Sequence, residues 1–191
     1  MKTNELSKLR KEISKVMDGK RFEHTLSVAY TAANLAACHG ADTEKALVAG
    51  MLHDCAKGMP DHKLLELCEK HHIPVSKEER KKPSLLHAKV GSYLAHKKYK
   101  VTDSNILNAV CYHTTGRPDM SLLEKIIFVA DYMEPGRRQA PRLEQIRRMS
   151  YNDLDQAVLM ILEDTLAYLR ESSSVIDQTT QETYNYYLKN R

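Results

Sequence analysis

The chain has no tryptophan, two phenylalanines, seven glycines and six prolines in 191 residues. Glycine and proline are too sparse for a loop-rich architecture, and no segment alternates apolar and polar residues for long enough to read as a strand. Cysteine is limited to Cys38, Cys55, Cys68 and Cys111. None forms a C-x-x-C pair, which argues against a zinc ribbon or a thioredoxin-type redox motif and suits reduced thiols in a cytoplasmic protein. No apolar run is long enough to span a bilayer, and the first residues carry no apolar signal core, so neither a membrane nor secretion is expected. Basic residues exceed acidic ones by a net +4, but no dense basic stripe with interleaved aromatics occurs, so nucleic acid is not the expected partner. Such a surplus suits a phosphate-bearing small molecule and equally suits plain solubility.

What is present is helical periodicity with stop signals. Leu6, Leu9, Ile13, Val16 and Met17 predict a helix ended by Asp18-Gly19. Phe22, Leu26, Ala29, Ala33 and Ala36 predict a second, closed by His39-Gly40, with His24 near its start. Asp42 caps a third, which runs to His53-Asp54 and stops at Gly58 with Pro60 beyond. A helix follows Pro60 and ends near His71, and the charged stretch 77–82 reads as a solvated loop. Ser84 opens a helix with His87 one turn in, and Asp103 caps one that reaches His113. Ser121 and Glu124 form a capping box for Leu122–Met133, whose run Ile126 to Ala130 is apolar on all sides and marks a central buried helix. A long amphipathic helix from about 152 to 170 and a tyrosine-rich last helix complete the reading. The expectation is all-α: a single domain over 1–191 of about nine helices, with a core at about 20–135 and C-terminal helices at 142–190 packed on it. There is no internal repeat.

Six residues stand out on those helices: His24, His53, Asp54, His87, His113 and Asp131. Each has apolar neighbours, which turns it toward the core. An ionised carboxylate there is costly unless something positive meets it. Asp131, directly after five apolar residues, is the sharpest case. A metal would answer it, and neutral imidazole beside carboxylate is suitable ligand chemistry. Each residue also has a plainer reading: a capped or hydrogen-bonded histidine, a carboxylate met by arginine, a histidine answering a helix dipole. His39, His62, His71, His72 and His96 lie in polar or terminal settings and read as surface residues.

The order H…HD…D, here His24, His53-Asp54 and Asp131, resembles the HD-domain superfamily of metal-dependent phosphohydrolases. The segments KRFEHTLSVA, GMLHDCAK, HAKVGSYLA, YHTTGRPDMS and KIIFVADYMEPGRR resemble more closely its YqeK-type family, bacterial symmetrical diadenosine-tetraphosphate hydrolases. The resemblance runs from about residue 20 to 185. It implies an HD-domain helical bundle that cleaves diadenosine tetraphosphate to two ADP with a water activated by two divalent metals. Iron is the metal it implies; manganese, zinc or another first-row metal would also suit four imidazoles and two carboxylates. It assigns His24, His53, Asp54 and Asp131 to one ion and His87 and His113 to the second, with Asp54 bridging. It further implies a homodimer. Asp54 and Lys57 are the catalytic candidates: Lys57, one turn after Asp54, could neutralise phosphate charge, and it reads equally as an exposed lysine at a helix end. Arg137 and Thr114 are candidate phosphate contacts, since a guanidinium fork matches phosphate oxygens in pairs. In the family a loop before the last helix borders the nucleotide. Here it spans about 174–180 and includes Ile176 and Asp177, without the proline and histidine expected of relatives. Two other readings share these features: an HD-type nucleotidase or other nucleotide phosphohydrolase, and a non-catalytic helical module that binds a nucleotide or a protein.

Overall fold

The computed structural model describes the backbone of residues 3–190 and the side chains of residues 6–190; residues 1, 2 and 191 of the expected domain span lie outside it. Among the described residues the chain is all-helical. The elements are α1 (Thr3–Ile13), α2 (Gly19–His39), α3 (Thr43–Leu52), α4 (Asp61–Lys70), α5 (Lys77–Lys81), a 3-10 turn (Pro83–Leu86), α6 (His87–Lys97), α7 (Ser104–Tyr112), α8 (Leu122–Met133), α9 (Leu143–Ser150), α10 (Leu154–Glu171) and α11 (Gln178–Lys189). None of these helices is long and apolar enough to cross a membrane.

Local chemistry sets most boundaries. Gly40 takes the left-handed conformation, φ 71°, and its N–H closes α2 on the Ala36 carbonyl. Asp42 and Asp103 accept the first N–H groups of α3 and α7. The Ser121–Glu124 capping box forms in full, and Glu134 ends α8 just before Pro135.

α8 is the axis of the bundle. Ile126, Ile127, Phe128, Val129 and Ala130 are all buried, so every face of this helix meets another element. One apolar cluster runs from Leu9 on α1 to Tyr187 on α11 and includes residues of α2, α3, α7, α8, α9 and α10. A smaller cluster of Ala56, Leu64, Cys68, Leu86 and Val90 anchors α4 and the 3-10 turn. α2 and α3 approach each other at Gly50, where a Cβ would stand 2.6 Å from the Ala29 Cα. Glycine is the residue that permits this contact of backbones.

Several expectations need correction. α1 ends at Ile13, and Asp18 instead starts α2 by accepting the Arg21 N–H at 2.9 Å. α3 ends at Leu52, so His53-Asp54 lies in a series of tight turns in which the Cys55 N–H reaches the Leu52 carbonyl and the Lys57 N–H the Asp54 carbonyl. Of the stretch 77–82, Lys77–Lys81 is a helix and not a loop, because Ser76 and Glu79 make a second capping box and the buried Glu79 also pairs with Lys89 at 2.8 Å. His87 is the first residue of α6, not one turn in, because Pro83 opens a 3-10 turn ahead of it. His39 is half-buried, its Nε2 2.6 Å from the Ser150 carbonyl, and His71 stacks on Tyr93.

Gly50→Ala tests the α2–α3 contact. The substitution gains roughly 1 kcal/mol of helix propensity, but forcing a Cβ against backbone costs about 1–3 kcal/mol. The expected outcome is a net loss, read as a lower Tm in thermal unfolding of the metal-free chain.

Candidate metal centre

Three of the candidate histidines are placed by one device. His53 follows the last residue of α3, and its Nδ1–H donates to the Gly50 carbonyl at 2.6 Å. His87 follows the 3-10 turn, and its Nδ1–H donates to the Ser84 carbonyl at 2.6 Å. His113 follows α7, and its Nδ1–H donates to the Val110 carbonyl at 2.8 Å. In each case the ring folds back on the carbonyl three residues earlier; for His53 and His113 that carbonyl lies in the last turn of a helix, where carbonyls lack an intrahelical partner. A carbonyl only accepts, so Nδ1 carries the proton and Nε2 keeps its lone pair. All three rings are buried. His24 lies inside α2, and its Nδ1 faces the Glu134 carboxylate at 3.2 Å.

The Nε2 atoms converge on two carboxylates. Asp54 Oδ2 lies 3.6 Å from His53 Nε2 and 4.0 Å from His24 Nε2. Its other oxygen, Oδ1, lies 3.3 Å from His87 Nε2 and 3.5 Å from His113 Nε2. Asp131 Oδ1 is 3.1 Å from His24 Nε2 and 4.0 Å from His53 Nε2. The cluster therefore has two lobes, with Asp54 turning one oxygen to each. His53 Nε2 and Asp54 Oδ1 are buried without a hydrogen-bond partner. Buried unsatisfied groups of this kind call for a cation or water between them. One ligand atom each from His24, His53 and Asp131, and likewise from His53, Asp54 and His113, lie within 4.8 Å of one another. The donor set fits a divalent first-row metal.

The protonation states suit that role. Burial pushes the His53 pKa down and that of His87 down to about 4, so both imidazoles are neutral at pH 7. Burial alone would raise the Asp54 and Asp131 carboxyls. The imidazoles facing them, His53, His113 and His87 at Asp54 and His24 at Asp131, outweigh burial and hold both carboxyls well below the usual carboxylate range. His24 is the exception: burial lowers its pKa, but Asp131 and Glu134 outweigh burial and the net shift is upward.

The remaining candidates divide. Thr114 Oγ1 lies 3.2 Å from His87 Nε2 and 3.1 Å from His113 Nε2, and Lys57 Nζ lies 3.2 Å from His87 Nε2; both stand at the second lobe. Arg137 stands at the first, donating to the Asp131 carbonyl at 3.0 Å with Nη2 also 3.6 Å from its carboxylate. The carboxylate that follows five apolar residues thus has a guanidinium six residues on, the plainer reading of such a group. Asp131 is also less enclosed than its apolar flank predicts, its side chain 25 % exposed. Ile176 is half-buried in the loop before α11, and Asp177 spends its carboxylate capping α11 through the Thr179 N–H at 2.8 Å. Neither is joined to the metal-ligand cluster.

Two residues of the site escape a reading of motifs. Arg21 donates to Asp54 Oδ2 at 2.7 Å. Its position one turn before His24 on the same helix face was the available signal. Glu134 was visible only as part of a helix break. Arg21, His24, Glu134 and Arg137, together with Lys20, line a cleft of about 510 Å³.

Residues 21–136 match the HD domain family. The chain belongs to the HD domain family. Its HD segment begins at Arg21 and ends at Gly136, so it contains every residue of the two lobes. HD-domain hydrolases use divalent metals, in keeping with this cluster. The chain is 39 % identical over 87 % of its length to the symmetrical bis(5'-nucleosyl)-tetraphosphatase of Bacillus subtilis, covering 88 % of that protein. It is 33 % identical to the protein of the same name from Staphylococcus aureus, over 95 % of its own length and 94 % of the relative's. A crystal structure of a predicted HD superfamily hydrolase from Clostridium acetobutylicum, described as involved in NAD metabolism, superposes with a TM-score of 0.94 at 38 % identity, covering 97 % of both chains.

The depressed His87 pKa gives a pH test on the metal-free chain. As pH falls from 6.5 toward about 4, His87 binds a proton in the unfolded chain but not in the folded one. Stability should therefore fall through that window. Unfolding experiments should find wild type losing more stability than His87→Gln between pH 7 and 4, by up to about 3 kcal/mol.

Proposed function

We propose that this chain hydrolyses diadenosine tetraphosphate symmetrically, giving two ADP, at a centre of two divalent metals. The observation that carries the two-metal reading is the division of Asp54, one oxygen toward His24 and His53 and the other toward His87 and His113. The substrate is carried by the relatives' names together with their near full-length similarity.

In this reading His24, His53, Asp54 and Asp131 hold one ion and His87, His113 and Asp54 the other. Bound divalent ions supply positive charge for phosphate oxygens and a water whose pKa is brought toward about 7. Iron is the metal proposed, with manganese and zinc as alternatives of compatible ligand preference. The three backbone-anchored imidazoles and the ionised carboxylates keep the ligand atoms oriented without further rearrangement. Lys57 and Thr114 stand at the second lobe, where an ammonium and a hydroxyl can take phosphate oxygens. Arg137 and Arg21 stand on the opposite side of Asp54, each with a guanidinium directed at the cleft. A four-phosphate chain laid between them has its central linkage over the two lobes. Hydrolysis then adds the water oxygen to one central phosphorus and breaks the bridging P–O bond, and each half departs as ADP. Ile176 and Asp177 belong to a loop proposed to border the base, where the backbone is the available contact because the Asp177 carboxylate is engaged. The chain is proposed to act as one cytoplasmic domain, paired as a homodimer.

Anaerobic purification, metal analysis and product analysis on diadenosine tetraphosphate test the reading in one sample. The expected outcome is about two metals per chain and ADP as sole product. AMP with ATP would overturn the symmetric cut, and preferred turnover of a monophosphate would make the chain a nucleotidase. Asp54→Ala should lose bound metal and turnover together. Arg137→Ala should raise KM about tenfold with a smaller change in kcat, as expected for a lost charged hydrogen bond to phosphate.

A further inference from the structure

His53, His87 and His113 each find an acceptor for Nδ1–H three residues back, at the end of a helix or turn. His24 has no such acceptor. It lies in the interior of α2 (Gly19–His39), where the preceding carbonyls are committed to the helical ladder. Its acceptor must come from elsewhere in the chain.

Glu134 supplies it from 110 residues away, with Oε1 3.2 Å from His24 Nδ1. Its side chain is buried, and a carboxylate in that position is costly unless its oxygens are satisfied. The second oxygen accepts the Gly136 N–H at 2.5 Å. At Gly136 a Cβ would stand 2.9 Å from Oε2 and 3.0 Å from Oε1, so the absence of a side chain there makes room for the carboxylate. The turn is held from outside by Arg147, which donates to the carbonyls of Met133, Glu134 and Arg137 at 3.0 Å each. Side chain, turn and clamp form one rigid holder facing one imidazole.

We infer that Glu134 is the positioning residue of the first lobe: it fixes the Nδ1–H tautomer of His24 and so aims the Nε2 lone pair at the metal. The Glu-Pro-Gly segment that breaks α8 therefore also completes the ligand set. Carboxylate partners of this kind raise the basicity of a ligating imidazole, and their loss typically costs 10–100-fold in metal affinity. The inference rests on the metal-centre reading above.

Titration of the full-length, metal-stripped chain with Mn²⁺ tests it independently of turnover. Glu134→Ala should bind the ion 10–100-fold more weakly than wild type. Glu134→Gln should fall between them, because its amide oxygen can take the His24 Nδ1–H while its NH₂ opposes the Gly136 N–H. Gly136→Ala should reproduce the loss by displacing an intact carboxylate. The same Glu134→Ala change made in a His24→Ala chain should have no further effect, since its route to the metal is gone. Wild-type affinity in Glu134→Ala, or an equal loss in the His24→Ala background, would overturn the inference. If Glu134→Ala fails to fold, Glu134→Gln and Gly136→Ala carry the comparison. A wild-type chain that binds no Mn²⁺, Fe²⁺ or Zn²⁺ would overturn the metal-centre reading instead.

Discussion

The burial of the Asp54 carboxylate, 4 % exposed, is the constraint around which the rest of this structure is arranged. A charge in that position is tolerated only if cations or oriented donors surround it. The fold meets the demand with imidazole nitrogens from four different elements and the Arg21 guanidinium. Each of those groups has to arrive at a fixed distance. That in turn requires rigid helix ends, the α2–α3 contact at Gly50, and a central α8 that carries Asp131 to the same point.

Burial also divides the labour among the titratable groups. The most enclosed imidazoles lose their protons, while the carboxylates they face keep their charge. Neutral nitrogen beside ionised oxygen is the state a metal needs in its ligands. The cationic groups stand around them, Arg21 directly on Asp54, Arg137 and Lys20 along the cleft and Lys57 beside the second lobe.

The sequence made much of this legible because the decisive signals are local. Capping residues and a left-handed glycine mark the ends of α2, α3, α7 and α8, and five consecutive apolar residues mark the buried centre. The H…HD…D order named the cluster before any contact was visible. What escaped reading depends on contacts distant in sequence. The stretch 77–82 looks solvated until Glu79 is seen buried against Lys89. Arg147 is spent on three backbone carbonyls, which its sequence neighbours give no sign of. Arg21 belonged to a motif already explained by its histidine, and Glu134 to a helix break already explained by its proline. The position of Ile176 and Asp177 relative to a nucleotide has no local signature at all, since a capping aspartate looks the same whether or not a ligand lies beside it.

Three of the four imidazoles are oriented by carbonyls within the same turn of chain, but the fourth depends on a residue 110 positions away. These two kinds of contact close at very different stages of folding, because long loops are entropically expensive to shut before other contacts support them. His53, His87 and His113 can take their final poses as soon as their own turns form. His24 must wait until α8 has docked and its far end has been secured. The first lobe thus draws on residues from 24 to 134, whereas the second draws on residues 54–113. The geometry around Asp131 therefore depends on both ends of the bundle being held together, whereas the rings of His87 and His113 are set by their own turns.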